Sequence, residues 1–300
     1  MFINRLIVGL MPLMPRGIVK LFSKRYIAGD RIEDAIATCA HLKNTGFETT
    51  LDILGEAIST STEAAASRDA YINLIQTVSH HPVSKNISLK PTALGLGLDP
   101  QLALDNIRAI IQVADEHGFF VRIDMEDSPY TTKTLNIYNT LRQEFPRIGV
   151  VIQAYLHRSD ADVKAIAATN GNLRICKGIY KEAHDIAFQD KDGVRENYLH
   201  LVKTMLKSGA YVGIATHDIY LIDTLEAFIH DQAIPPEKYE FQALLGVPIE
   251  ARLARLREAG HTVRIYVPFG EQWYAYSSRR LRENPDVAGY VIKNWFKFGQ

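Results

Sequence analysis

The sequence predicts an α/β fold, a (βα)8 TIM-type barrel, and three observations carry that expectation. From residue 47 onward, short strand-like runs alternate with longer stretches of helical spacing, and the alternation occurs eight times. Several short runs are continuously apolar, as in Gly149-Val150-Val151-Ile152, which marks strands covered on both faces, as in a parallel sheet. The chain has 300 residues and no low-complexity linker, a length that one closed barrel accommodates. Eight consecutive units favour closure over an open doubly wound sheet.

The strand candidates are residues 47–54, 86–90, 119–125, 149–156, 173–180, 211–216, 239–244 and 263–267. Helices are expected between them. Asp99 as N-cap and Pro100 in the first turn open one, Leu102, Ile107, Ile110, Ile111 and Ala114 give its apolar face, and His117-Gly118 ends it. Residues 159–168, 194–207 and 249–259 follow the same logic, the last closing at Ala259-Gly260. Residues 1–46 are expected as extra N-terminal helices packed on the barrel. Residues 47–300 are expected as the catalytic barrel, with 284–300 as a tail.

Composition narrows the function classes. Hydrophobic residues make up 47% and charged residues 23%, the balance of a globular chain with a large core. Formal net charge is zero and the basic residues are scattered, so no electrostatic case for nucleic acid exists. Two cysteines, Cys39 and Cys176, make no disulfide framework and fit a reducing cytosol. His80-His81 stands without CxxC or HExxH spacing, so no metal is expected. The apolar run 6–15 has about half the length of a membrane span. It fits two readings: a helix packed on the barrel, or an interfacial segment with Arg5, Arg16 and Lys20 at lipid headgroups. A signal peptide is not indicated, because no small-residue cleavage site follows the run.

Active sites in this fold sit at the C-terminal ends of the strands. The strands here carry Glu48 and Asp52, of which Asp52 is nearer the top, Lys90, Asp124, Glu126, Gln153, Tyr155, Arg174, Lys177, Tyr180, Thr216, His217, Asp218, Gln242 and Tyr266. The last unit adds Tyr276, Arg279, Arg280 and Glu283. On a helix Tyr276, Arg279 and Glu283 share a face, and Arg280 lies about 100° round from Arg279. Two such guanidiniums can straddle one carboxylate through parallel hydrogen bonds, and a solvated surface pair is the plain alternative.

Motifs at successive strand ends resemble the proline dehydrogenase family, in its monofunctional bacterial form. They are Ser88-Leu89-Lys90-Pro91, Arg122-Ile123-Asp124-Met125-Glu126, Gln153-Ala154-Tyr155-Leu156, Arg174-Ile175-Cys176-Lys177-Gly178-Ile179-Tyr180, Ile214-Ala215-Thr216-His217-Asp218, Glu240-Phe241-Gln242-Ala243-Leu244, and the Arg279-Arg280 ending. Pro91 departs from the commoner small polar residue. The match runs from about residue 90 to 284, and little of it falls before residue 80.

The resemblance implies a last helix over the barrel mouth and a set of roles. Lys90, Arg279 and Arg280 would bind the proline carboxylate, with Asp124 and Glu283 offsetting the three cations. Tyr180, Tyr266, Tyr276 and Leu244 would wall the pyrrolidine ring. Asp124 and Arg174 would be catalytic, Arg174 lying near the flavin N5. Met125, Gln153, Arg174, Lys177, Gly178, Ile179, Thr216 and His217 would hold FAD, with Gly178 permitting close backbone approach. His217 is otherwise a hydrogen-bonded structural histidine, and Cys176 is best read as a small buried hydrophobe.

The implied reaction is oxidation of L-proline to Δ1-pyrroline-5-carboxylate, with electrons passing to a membrane quinone. FAD would be non-covalent and held by rim groups, since Gly95-Leu96-Gly97 lacks the third glycine of a dinucleotide fingerprint. A chain of this length leaves no room for an aldehyde dehydrogenase domain. A separate pyrroline-5-carboxylate (glutamate semialdehyde) dehydrogenase is therefore expected as partner. The expected location is cytoplasmic, or peripheral at the inner membrane. Two rivals stand beside this reading: a Schiff-base aldolase using Lys177 or Lys90, and a non-catalytic carboxylate-binding barrel.

Overall fold

The computed structural model describes residues 23, 25–55, 58–274 and 276–277. Eight parallel strands close a barrel in sequence order: β1 Glu48–Ile53, β2 Asn86–Leu89, β3 Phe120–Ile123, β4 Ile148–Gln153, β5 Asn172–Cys176, β6 Tyr211–Ala215, β7 Tyr239–Leu244 and β8 Val263–Phe269. Closure is long: β1 and β8 pair in register from Glu48–Arg264 to Ile53–Phe269. Helix α1 (Ile32–Asn44) precedes β1 and buries Ala35 and Cys39. Seven more helices follow the strands: α2 Ser61–Ser79, α3 Pro100–Glu116, α4 Ser128–Leu141, α5 Ser159–Ala168, α6 Lys191–Ser208, α7 Ile219–Asp231 and α8 Glu250–Glu258.

Local chemistry sets the helix limits. Thr60 and Glu63 form a reciprocal cap at α2: the Thr60 hydroxyl accepts from Glu63 N–H at 3.2 Å, and Glu63 Oε2 accepts from Thr60 N–H at 3.0 Å. Asp99 caps α3 through Gln101 N–H at 2.9 Å, and Gly118 takes φ +74° just beyond its end. The buried face of α3 differs from expectation in its first turns, where Ala103 and Asn106 are buried in place of Leu102. Leu102 is only half-buried, while Asn106 is buried because its Nδ2 donates to the Leu94 carbonyl.

Three expected strands are clearly shorter than the sequence suggests, and β3 keeps only Phe120–Ile123 of the expected 119–125. β5 stops at Cys176 rather than at residue 180, because Gly178 has φ +112°, outside the extended region. β4 stops at Gln153 rather than at residue 156, where Ser159 Oγ donates to the Gln153 carbonyl at 2.6 Å and turns the chain. Lys177 to Tyr180 and Tyr155 therefore belong to loops at the barrel mouth.

Strand register sorts the two faces. Leu51, Ile87, Val121 and Ile148 are in-register neighbours and pack outward in the helix-covered core. The next register, Asp52, Ser88, Arg122 and Gly149, points into the lumen, as do Arg174, Gly213 and Glu240. Barrel interiors of this kind are usually filled by branched apolar side chains. This one holds charges, and burial obliges them to pair. Glycines make the room. A Cβ on Gly149 would collide with the Arg122 guanidinium and lie 2.7 Å from the Asn172 carbonyl, and one on Gly213 would lie 2.6 Å from Gln242 Nε2.

Candidate active site

A cavity of 620 Å³ opens at the C-terminal ends of the strands. Its floor is a web of charged lumen residues. Lys90, just past β2, lies 2.7 Å from both carboxylate oxygens of Asp52 on β1, 3.8 Å from Asp124 and 3.4 Å from the Tyr266 hydroxyl. Asp124 follows β3. Its Oδ1 accepts from Ser88 Oγ at 2.6 Å and from Arg174 at 3.0 Å, and its Oδ2 accepts from the Tyr266 hydroxyl at 3.0 Å. Arg174, on β5, is only 6% exposed, and its Nε donates to Gln242 Oε1 at 2.7 Å. Its guanidinium also lies over the Tyr266 ring, 5.3 Å from the centroid.

The electrostatics follow from this pairing. Burial works to lower the Lys90 ammonium, but Asp52 and Asp124 outweigh burial and hold it above its ordinary range. A Schiff-base lysine needs the opposite shift, and the ammonium is already engaged by both Asp52 oxygens. Burial, reinforced by Asp124, holds the Tyr266 hydroxyl well above its ordinary range, which keeps it a donor. Burial also pushes the Cys176 thiol up to about 11, in keeping with a packed rather than reactive cysteine.

The mouth has a second charged group. Asp218 stands at the N-cap position of α7, but its carboxylate turns away from the helix and accepts from Arg195 at 2.8 and 2.9 Å and from Lys177 at 3.3 Å. Burial raises its carboxyl, but Arg195 and Lys177 more than offset this and hold it at about 2. Ile179 lines the cavity and is 40% exposed.

A family model described as proline dehydrogenase matches residues 35–293. The chain belongs to the proline dehydrogenase family. It is 39% identical over 278 residues to Proline dehydrogenase 1 of Bacillus subtilis (strain 168), covering 93% of this chain and 92% of that protein. It is 36% identical over 280 residues to Proline dehydrogenase of Deinococcus radiodurans, covering 92% and 90%. Among solved structures it resembles proline utilization A from Bdellovibrio bacteriovorus, inactivated by N-propargylglycine, with TM-score 0.81 and 26% identity over 88% of this chain. The chain spans about a third of that longer protein, 32% of its length.

Within this proline dehydrogenase fold, the structure gathers Lys90, Asp124, Met125, Gln153, Arg174, Lys177, Gly178, Ile179, Tyr180, Thr216, His217, Leu244, Tyr266 and Tyr276 around the one cavity. Arg279, Arg280 and Glu283 lie outside the described residues, as does the apolar run 6–15. Gly178 does something the sequence did not suggest, and His217 makes the structural hydrogen bond that stood as its alternative reading. A Cβ on Gly178 would run into the ring of Tyr155, so the first demand on this glycine is internal packing. His217 Nε2 accepts from Leu244 N–H at 3.0 Å, tying the ends of β6 and β7 together.

Other site residues take parts that no motif announced, although Glu126 closes the motif after β3. Asp52 was visible only as a rim carboxylate, yet it is the main counter-charge of Lys90, a part the sequence had given to Asp124 and Glu283. Tyr71, on α2, donates to the Ser88 carbonyl at 3.0 Å and lies 3.4 Å from Asp52. Glu126 accepts from both the N–H and the hydroxyl of Thr92, at 2.8 and 2.5 Å, and so pins the turn after β2. Tyr26 comes from before the barrel and packs with Leu54 and Tyr276 at the cavity edge. Among the described residues no cluster of metal-ligating side chains occurs, and no helix is long and apolar enough to cross a membrane.

Proposed function

We propose that this chain oxidises L-proline to Δ1-pyrroline-5-carboxylate with non-covalent FAD as hydride acceptor, and that a membrane quinone takes the electrons onward. The observation that carries the reading is the convergence of Lys90, Asp124, Arg174 and Tyr266 on one cavity floor in a member of this family.

The residues present fit a flavin dinucleotide. The cavity is larger than a five-membered ring acid needs and falls in the range of cofactor sites. Exposed apolar Ile179 and the Lys177 ammonium line the same cavity and offer a ring contact and a cation suited to phosphate. Gln153 Nε2 is spent on the Glu126 carbonyl at 2.7 Å, which leaves its amide oxygen as an acceptor for a ring N–H. Met125, Gly178, Thr216 and His217 complete the lining proposed to hold it. When bound, the flavin supplies the hydride acceptor that no side chain can.

The chain's own groups do the rest. Lys90, joined in this proposal by Arg279 and Arg280, takes the substrate carboxylate. Asp52 keeps Lys90 charged in a buried setting. Arg174 is held by Gln242, Ser88 and Asp124 before any ligand arrives, so its charge is preorganised. Tyr180, Tyr266, Tyr276 and Leu244 wall the ring, and Glu283 balances the arginines. A separate pyrroline-5-carboxylate dehydrogenase would take the product. Peripheral contact of the N-terminal segment with the cytoplasmic face of the inner membrane would bring the flavin near its quinone.

The test is direct. Protein purified in the presence of FAD should release FAD on denaturation and should reduce a quinone analogue only when L-proline is present. Failure to retain FAD, or turnover without proline, would overturn the reading.

A further inference from the structure

Glu240 and Gln242 stand two residues apart on β7, and both point into the lumen. Gln242 Nε2 donates to Glu240 Oε1 at 2.5 Å, and Gln242 Oε1 accepts from Arg174 Nε at 2.7 Å. Glu240 in turn accepts from Arg264 Nε at 2.8 and 3.0 Å. Arg264 is anchored on the Thr49 carbonyl at 2.8 Å, and Gly213 leaves the space that the Gln242 amide fills. Glu240 does not line the cavity.

A glutamine amide has an acceptor end and a donor end of nearly the same shape. Turned over, Gln242 would set its NH2 against the Arg174 Nε–H and its oxygen against a carboxylate, two repulsive contacts. We propose that Glu240 is a positioning residue for the reaction: its carboxylate fixes which way the Gln242 amide faces, and the amide oxygen then holds Arg174 at the cavity floor. Burial alone would raise the Glu240 carboxyl, but Arg264 outweighs burial and keeps it ionised. The inference rests on the proposed flavin-dependent oxidation of proline.

Substituting Glu240→Gln makes a specific prediction. Arg264 Nε and Gln242 Nε2 both donate to Oε1, at 2.8 and 2.5 Å, so the new amide can serve both only through one neutral, weaker acceptor oxygen. Its hold on the Gln242 amide is loosened, and whenever Gln242 turns over, Arg174 loses its acceptor. In the double exchange E240Q/Q242E the acceptor for Arg174 is restored with the same net charge, and Arg264 exchanges its carboxylate for an amide oxygen: the new carboxylate accepts from Arg174 on one oxygen and from the amide at 240 on the other. Q242E alone would set two carboxylates in contact, where both cannot ionise.

The experiment uses FAD-loaded full chain and measures three things: the anaerobic rate of flavin bleaching by proline, the KM for proline, and the flavin midpoint potential. E240Q should slow bleaching about tenfold, the loss expected for a hydrogen bond to a charged group. Its KM should change little and its potential should become more negative, since a displaced Arg174 stabilises the reduced anionic ring less. E240Q/Q242E should return the rate to near wild type. If E240Q does not fold, Q242L carries the test, because it removes the acceptor while leaving the Arg264–Glu240 pair intact, and it should show the same slowing and the same shift in potential. Folded variants with wild-type rate and potential, or a double exchange no better than its singles, would overturn the inference alone. A wild-type flavin that proline does not bleach would overturn the functional reading and this inference with it.

Discussion

The Lys90 ammonium sits 2.7 Å from each carboxylate oxygen of Asp52, across the β1–β2 pair and beneath the cavity. An ammonium in so buried a place keeps its charge only while its counter-charges remain. The groups facing it are Asp52 from β1, Asp124 and Glu126 from the loop after β3, and Tyr266 from β8, with Tyr71 of α2 behind Asp52. Removing the nearest carboxylate leaves the burial and takes away most of what opposes it. Asp52→Asn should therefore lower the Lys90 pKa. A group with a lowered pKa loses its proton as pH rises, so the variant's proline KM should climb with pH across a range where the wild-type KM is flat. Steady-state kinetics from pH 6 to 9 would check this, and parallel pH profiles would show that Asp52 does not govern the Lys90 charge.

At the cavity mouth, the Asp218 carboxyl lies at about 2 against an ordinary 3.8. Its folded value is depressed, so the stability it contributes is present above the ordinary value and is lost as pH falls through about 2. Asp218→Asn should be less stable than wild type at neutral pH, and the gap should close on acidification. Urea midpoints at pH 7 and pH 3 measure the effect, and at pH 3, still above about 2, the gap should be narrowed but not gone. An equal gap at both would remove the Arg195 and Lys177 pairing as its source.

Gly149 gives the lumen its space for Arg122, whose guanidinium donates to the Val150 and Asn172 carbonyls at 3.1 and 3.0 Å. Gly149→Ala places a methyl against that guanidinium and against backbone, neither of which can move far. Overpacking of this kind costs about 1–3 kcal/mol. Chemical denaturation should show a lower midpoint with an unchanged slope, and a wild-type midpoint would mean that the lumen relaxes more freely than its packing suggests.

The carboxylate clamp proposed on Arg279 and Arg280 separates substrate from cofactor. Arg279→Met and Arg280→Met should each keep FAD and should each lower kcat/KM for proline by at least about tenfold, as expected for a lost charge-assisted hydrogen bond. Arg→Lys should recover only part, because an ammonium lacks the planar fork. A normal KM in the Arg279 variant would return the pair to a solvated helix face.

The sequence made the fold legible because barrel alternation is a local signal, repeated eight times. It made Asp124, Arg174 and Lys177 legible for a related reason: each sits in a short motif at a strand end. The pairing of Lys90 with Asp52 was not legible, since it joins residues on different strands and depends on barrel register. Gly149 read as part of a continuous apolar run, although its work is to make room for an arginine from the neighbouring strand. Lumen and outer faces were likewise mixed, because Arg122, Arg174 and Glu240 are each flanked by apolar residues whose side chains point the other way. Tyr26 and Tyr71 reach the site only through tertiary packing, and no spacing in the chain announces them.

The most direct test of the central claim is anaerobic titration of FAD-loaded protein with L-proline, followed in the visible spectrum. The account predicts that proline bleaches the flavin band, that one pyrroline-5-carboxylate forms per flavin reduced, and that pyrrolidine, which lacks the carboxylate for Lys90 to bind, leaves the band almost unchanged at the same concentration. A band that proline does not bleach, or one that pyrrolidine bleaches equally well, would contradict it.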